Sequence, residues 1–157
     1  MLEKYYLTKK GVNKVKKEYE DLKRIRMAKT KGESPQLLQS DDLNPEYIVF
    51  REDLSFLESR LIDLEHILKN IEPIKLPPKN KRNIVYLGAT VTLEETDGEI
   101  NEFTIVGTLE ANPSEGKISS KSPIGKILLG HKLNDTVEVS SPIKVIYILK
   151  KIKYSLF

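Results

Sequence analysis

Eight apolar residues, Tyr47, Phe50, Leu54, Leu57, Leu61, Leu64, Leu68 and Ile71, follow one another at steps that alternate three and four. That is the repeat of a helix burying one narrow seam against a second helix, as in a coiled coil. Asn44 can cap its start, and Pro45 suits the first helical position, where a missing N–H loses no bond. From Pro45 to Ile71 such a helix would be about 40 Å long. A rod of that length with one partner cannot be globular and reads as an arm, its tip at the turn near residues 36–44. The seam is fully explained by core packing and carries no chemistry of its own.

The partner helix lies upstream. Thr8 is a good N-cap, and Val12, Val15, Tyr19 and Leu22 recur at helical spacing before the pattern weakens after Ile25 and Met27. Gly32 and Pro35 should fray or kink it. Residues 1–31 hold eleven Lys/Arg against four Asp/Glu, and residues 33–72 hold ten acids against three bases. The net charge of +3 therefore hides a local +7 followed by −7. Two helices lying side by side with complementary faces would account for it. Two solvated faces, or a basic stripe turned toward nucleic acid, would do so equally.

Pro73, Pro77 and Pro78, then Lys79–Asn83, stop the helix and form a linker. Beyond it the period becomes that of strands. Tyr86–Glu95 and Ile100–Val106 flank Asp97-Gly98, a two-residue hairpin signal. Further strands are expected at Lys117–Ser119, Thr136–Val139 and Ile143–Ile152. Ser122-Pro123 reads as cap and first residue of a short helix, Ile124–Leu129, ended by Gly130. The expected architecture is α+β, with an arm over 1–76, a linker over 77–83 and a β-rich domain over 84–157.

Several chemistries are excluded by composition. Without cysteine there is no disulfide, thiol nucleophile or cysteine-bound metal. Two histidines 65 positions apart, His66 and His131, give little basis for a histidine metal site or a Ser–His–Asp triad, and both read as inert. No phosphate-cradling glycine pattern is present. No apolar run reaches the ~18–20 residues that cross a bilayer, and the charged N-terminus lacks a signal peptide's apolar stretch. A soluble, cytoplasmic protein with no membrane partner is expected.

The second half carries a recognisable set of motifs. These are Leu87-Gly88-Ala89-Thr90-Val91, Ile105-Val106-Gly107 with Glu110-Ala111, Ile118 through Lys126 with Leu128-Leu129-Gly130, Asp135-Thr136-Val137, and Ile152-Lys153-Tyr154. The first half adds Tyr6-Leu7-Thr8 with Gly11, then Asn44, Glu46-Tyr47, Arg51-Glu52 and Phe56 through Arg60. Together they resemble the bacterial GreA/GreB transcript-cleavage factors over essentially the whole chain. The resemblance implies an antiparallel coiled-coil hairpin followed by an FKBP-like domain with a short helix. It also implies a monomer whose globular domain docks on bacterial RNA polymerase at the mouth of its secondary channel. The arm then reaches the polymerase active site, where tip carboxylates help hold a second Mg²⁺ for hydrolysis of the nascent RNA in backtracked complexes. Such a factor is not an enzyme by itself and has no cofactor of its own. It shares the polymerase's Mg²⁺.

At the tip the sequence departs from the family. Where the family has Gly-Asp-Leu-(any)-Glu-Asn-Ala-Glu-Tyr, Ser40-Asp41-Asp42-Leu43-Asn44-Pro45-Glu46-Tyr47 stands, and registering Thr8 at one end and Asn44-Pro45-Glu46-Tyr47 at the other leaves this chain two residues short. Aligning the Asp-Leu pairs keeps Asp42 as the metal-directed acid and removes its glutamate partner, for which the adjacent Asp41 is a substitute. Plain helix-start chemistry explains both aspartates as well, and Glu46 reads as a first-turn acid favoured by the helix dipole. A regulator that occupies the channel without stimulating cleavage is the alternative. Arg51 matches a family position facing the RNA 3′ end, or else pairs with the other strand of the coiled coil. The resemblance places the polymerase contact at Ser119, Ser120, Lys121, Ser122, Pro123 and Gly125. This stretch is expected to be exposed, so that removing the Ser122 hydroxyl and the Pro123 ring leaves the fold intact. Tyr147 and Tyr154 read as core. With no tryptophan and four phenylalanines, an aromatic pocket for proline isomerisation is not expected.

Overall fold

The computed structural model describes residues 3–32, 45–140 and 143–155. The expected tip, with Asp41 and Asp42, lies outside them. The chain divides into two compact units, Asn13–Asn70 and Met1–Val12 together with Ile71–Phe157.

The first unit is the hairpin, built from α1 (Lys9–Lys31) and α2 (Pro45–Lys69). The Tyr19 hydroxyl donates to Glu65 at 2.9 Å, Arg60 grips both oxygens of Glu18 at 2.7 and 3.1 Å, and Lys29 lies 4.0 Å from Asp53. Later residues of α1 thus meet earlier residues of α2, and the helices are antiparallel. The accepting Glu65 carboxylate raises the Tyr19 pKa, and the Glu18 carboxylate raises that of Arg60. Leu57, Leu61 and Leu64 are buried, as their seam positions require, and Tyr47, Phe50 and Leu54 are half-buried. The seam then shifts phase. Ile67 is buried in place of Leu68, because α2 stops at Lys69 and Ile71 leaves the helix altogether. Ile25 and Met27 are exposed, where the α1 pattern weakens.

The charge segregation is not relieved by pairing between the helices. Among the described residues, Lys29 is the one α1 cation within salt-bridge distance of an α2 acid. The shortest ion pair across the hairpin runs the opposite way, from Arg60 of α2 to Glu18 of α1. Lys14, Lys16 and Lys17 on one helix and Glu52, Glu58 and Asp63 on the other are exposed. The seam faces inward on each helix, so these charges are pushed onto the outside.

In the second unit, Ile71–Pro73 forms β2, a short strand parallel to β1 (Tyr5–Leu7), with Tyr5 opposite Ile71. The sequence reading placed Ile71 in the helix and assigned Tyr5–Leu7 to no element. The Ile74 N–H extends the pairing by donating to the Leu7 carbonyl at 2.9 Å. Five further strands form one sheet: β3 (Thr90–Glu95), β4 (Ile100–Val106), β5 (Lys117–Ser119), β6 (Thr136–Val139) and β7 (Val145–Lys153). Their order is β5-β4-β3-β7-β6, antiparallel throughout except for the parallel β4–β5 pair. The short helix α3 (Pro123–Leu128) follows β5. Val85, Ala89, Val91, Leu93, Ile105, Leu128, Val137 and Leu149 make the core between them, with Tyr147 buried and Tyr154 packed against it.

Three boundaries differ from expectation. β3 begins at Thr90 because Tyr86–Ala89 is a turn, closed by the Ala89 N–H on the Tyr86 carbonyl with Gly88 at φ 95°. The β3–β4 connection has three residues rather than two. Glu95 and Glu99 pair across it, and only Gly98, at φ 89°, takes the left-handed conformation; a two-residue type I′ turn would need two such residues. Ile143 is exposed and lies outside β7. Among the described residues, Asn134 is the one non-glycine at positive φ. In that turn Asp135 accepts from the Lys132 N–H at 2.8 Å and lies 3.1 Å from His131 Nδ1. The Lys132 N–H, then His131, hold its carboxyl below the usual carboxylate range.

Candidate functional site

The stretch that the sequence reading placed against a partner is a loop folded on itself. Ser119 ends β5, and Gly125 lies in α3. Between them the Ser122 hydroxyl donates to the Ser119 carbonyl at 2.6 Å and accepts from the Gly125 N–H at 3.2 Å, capping α3 as expected. Ser119 Oγ accepts from the Lys121 N–H at 3.1 Å, and the Ser120 N–H donates to the Val106 carbonyl at 2.9 Å. Ser119, Ser120 and Ser122 are therefore half-buried and Gly125 is buried; Lys121 and Pro123 are the two of the six that are exposed. A Cβ on Gly125 would stand 2.1 Å from the Ser119 carbonyl oxygen, so this glycine is needed for close approach of loop and helix. Lys121 reaches back to Glu3 at 3.2 Å, an exposed pair of small energetic value.

Ser122 is thus a poor probe of docking. Removing its hydroxyl removes a helix cap, worth about 1 kcal/mol, so the expectation of an undisturbed fold does not hold for it. Lys121 and Pro123 bind no buried group. Lys121→Glu with Pro123→Ala should leave the melting temperature within a few degrees, whereas Ser122→Ala should lower it by about 4–8 °C. Scanning calorimetry on the two variants separates the roles.

On the arm, Arg51 is exposed, and its guanidinium lies 6.0 Å from the Tyr47 ring centroid, one helical turn back. No acid of the other helix pairs with it among the described residues. Its side chain is held along α2 and its charge faces outward.

A further constellation sits where α1 begins. Thr8 is buried and caps the helix, accepting from the Gly11 N–H at 3.1 Å. Its hydroxyl donates to Glu110 at 2.8 Å, and its N–H lies 3.2 and 3.4 Å from the two oxygens of the same carboxylate. α1 has no acid of its own in the first turn, and Glu110 brings a negative charge to its positive end. Gly11 leaves room for it, since a Cβ there would fall 1.5 Å from Glu110 Oε1. Sequence reasoning identified Thr8 as a cap and missed Glu110, 102 positions away. The missing first-turn acid was the available signal. Glu110→Ala should destabilise the protein by about 2 kcal/mol, leaving a buried hydroxyl without its acceptor. Glu110→Gln, which retains an acceptor, should lose less than half of that in urea denaturation.

In the second unit, Tyr6, Pro73, Ile74, Leu76, Pro77, Tyr86 and Leu87 line most of an open, largely apolar groove of about 540 Å³. Glu95, Asp97 and Glu99 converge at the β3–β4 turn, but two of the three are exposed, and acids so placed at a hairpin end need no ion.

Comparison with known proteins places this arrangement. The N-terminal domain model of the transcription elongation factors matches residues 5–72, and the GreA/GreB C-terminal domain model matches residues 79–154. The chain belongs to the GreA/GreB family. Transcription elongation factor GreA of Thermomicrobium roseum is 37% identical over 142 residues, covering 89% of this chain and 90% of that protein. GreA of Caldanaerobacter subterraneus subsp. tengcongensis is 40% identical over 143 residues, with 89% and 90% covered. The crystal structure of the GreA factor homolog 1 protein of Thermus thermophilus is 26% identical, covers 96% of this chain and 99% of its own, and superposes at a TM-score of 0.43. The helical hairpin and the β-rich unit are the α+β architecture expected for a Gre-type elongation factor. Among the described residues no helix is long and apolar enough to cross a membrane.

Proposed function

We propose that this chain binds bacterial RNA polymerase through the secondary channel and stimulates cleavage of nascent RNA in backtracked complexes. The carrying observation is its likeness to GreA elongation factors across nearly nine-tenths of its length. The antiparallel hairpin supports the reading, since a two-helix rod is narrow enough for a channel and stiff enough to keep its tip in place. The chain acts by contributing ligands to another protein's catalytic centre. Lys121 and Pro123 are the exposed part of the docking loop, and Arg51 is a contact for the RNA 3′ end.

The tip acids are Asp42, with Asp41 in support. Their hard oxygen donors suit Mg²⁺, and a second Mg²⁺ held there supplies charge stabilisation for the attacking and leaving oxygens of phosphodiester hydrolysis. A second reading is favoured by one specific feature of the sequence. Asn44-Pro45 follows Asp42-Leu43 directly, with no place for the family's tip glutamate. On that reading the arm enters the channel and inhibits. Capture of polymerase by the tagged chain tests the common premise, and RNA cleavage in stalled elongation complexes separates the two readings. Failure to bind polymerase would overturn both, and binding without cleavage at any Mg²⁺ concentration would leave the inhibitor.

A further inference from the structure

One broad side of the helical hairpin carries an apolar patch that its seam does not use. Val49, Asp53, Phe56 and Arg60 follow one another on α2 at steps of four, three and four, and Glu18, Ile25 and Lys29 on α1 at steps of seven and four. Each set therefore forms one stripe along its helix. The Arg60–Glu18 contact at 2.7 Å and the Lys29–Asp53 contact at 4.0 Å join the two stripes, so both face the same side. Ile25 lies one turn before Lys29, and Phe56 one turn after Asp53, which sets both side chains between the two ion pairs. Val49 stands one turn beyond Asp53. Phe56 is 77% exposed, Val49 55% and Ile25 46%, while the seam beneath is closed by Leu57, Leu61 and Leu64 without them. Single exposed apolar residues are ordinary. Three grouped together and framed by charges are the footprint of an interaction surface.

The frame of charges decides what fits. On α1 the acid Glu18 and the cation Lys29 mark the two ends of the patch. On α2 the order is reversed, with Arg60 beside Glu18 and Asp53 beside Lys29. Positive and negative charges thus alternate around the patch like the squares of a checkerboard. A polyanion would meet Glu18 and Asp53, and a polycation would meet Lys29 and Arg60, so neither matches it. The same surface does. A second copy turned over onto it about a twofold axis in the plane of the face, along the hairpin or across it, sets every cation against an acid. It also covers Phe56 and Ile25 of both chains with apolar surface. A twofold contact needs this kind of self-complementary patch, and four charges in a network hold better than isolated exposed pairs. We propose that this face of the hairpin binds the same face of a second copy of this chain, giving a four-helix contact between two arms. Three apolar side chains a copy make a small interface beside the roughly 800 Å² per partner of stable complexes, so the dimer forms reversibly and the single chain prevails when dilute.

Sedimentation equilibrium on the full chain, from about 1 µM to about 1 mM, reads the association directly. The mean mass of wild type should climb from one chain toward two. Val49→Ala with Phe56→Ala should raise the dissociation constant about 100-fold, since twofold symmetry deletes each side chain twice. Ile48→Ala with Ile62→Ala is the control. Both isoleucines are exposed on α2, about a third of a turn round from the stripe, and their loss should leave the constant within about threefold of wild type. Arg60→Glu puts a third acid in the frame, opposite Glu18 or Asp53 of the second copy under either axis, and should weaken association by about tenfold or more. Far-ultraviolet circular dichroism should show the same helix content in every variant. A wild type that stays a single chain at the highest concentration would overturn the proposal, as would equal weakening by the two double variants. Loss of polymerase capture in Val49→Ala with Phe56→Ala, with wild type single throughout, would overturn it in favour of a polymerase contact on this face.

Discussion

Gly125→Ala is expected to destabilise the sheet unit by about 3 kcal/mol, at the upper end of the usual range for overpacking. The obstruction is backbone: the new methyl would stand 2.1 Å from the Ser119 carbonyl oxygen and 3.1 Å from its carbon. A flexible side chain could swing aside, but here β5 and α3 must separate. Moving them also stretches the Ser122 cap, which bonds to both partners. The fall in melting temperature should be about 12–24 °C. Gly98→Ala is the matched comparison. It meets nothing within 4 Å and suffers only from φ +89°, so it should lose about 1 kcal/mol. If the two variants melt together, close packing is not what Gly125 provides.

Asp42→Asn should abolish cleavage stimulation while polymerase binding persists. The amide keeps the size and one acceptor oxygen but gives up the charge that attracts Mg²⁺. Asp41→Asn should reduce activity in part where Asp41 replaces the family's glutamate, and leave it untouched where it is a solvated residue. One carboxylate holds a second metal less well than two. Wild type should therefore need more Mg²⁺ than a variant with Lys-Glu inserted after Leu43. Strong cleavage by wild type at low Mg²⁺, or full activity in Asp42→Asn, would refute this assignment.

What could be read in the sequence is what short-range periodicity encodes. The hairpin was legible from the alternating seam, and α3 from Ser122-Pro123 and Gly130. The bounds of β4, β5 and β6 were legible from β-branched runs between turn residues. The features missed depend on partners far away in the chain. Tyr5–Leu7 is three residues long, too short for any pattern, and is a strand only because Ile71–Pro73 lies beside it. Ile71 continues the seam by position, yet a helix ending at Lys69 releases it to that pairing. Glu110 looks like any surface acid until Thr8 and Gly11 close around it. The stretch from Ser119 to Gly125 was legible as a loop with a cap. Its burial was not, because serines that bond inward and serines that face solvent have the same spacing.

The pairing of β1 with β2 has a consequence for the order in which the chain assembles. Tyr5 and Ile71 are neighbours in the ribbon, so everything between them is a closed loop. Closing an unstructured loop of that length opposes folding by about 4 kcal/mol beyond the fixed term, more than three parallel residue pairs return. A hairpin that has already zipped along its own seam returns the chain close to where it left, and most of that opposition disappears. The long arm should therefore form early and independently, with the ribbon closing afterwards as a latch. Weakening the seam at Leu61 should then slow the appearance of the ribbon, whereas weakening the ribbon should leave the rate of helix formation unchanged.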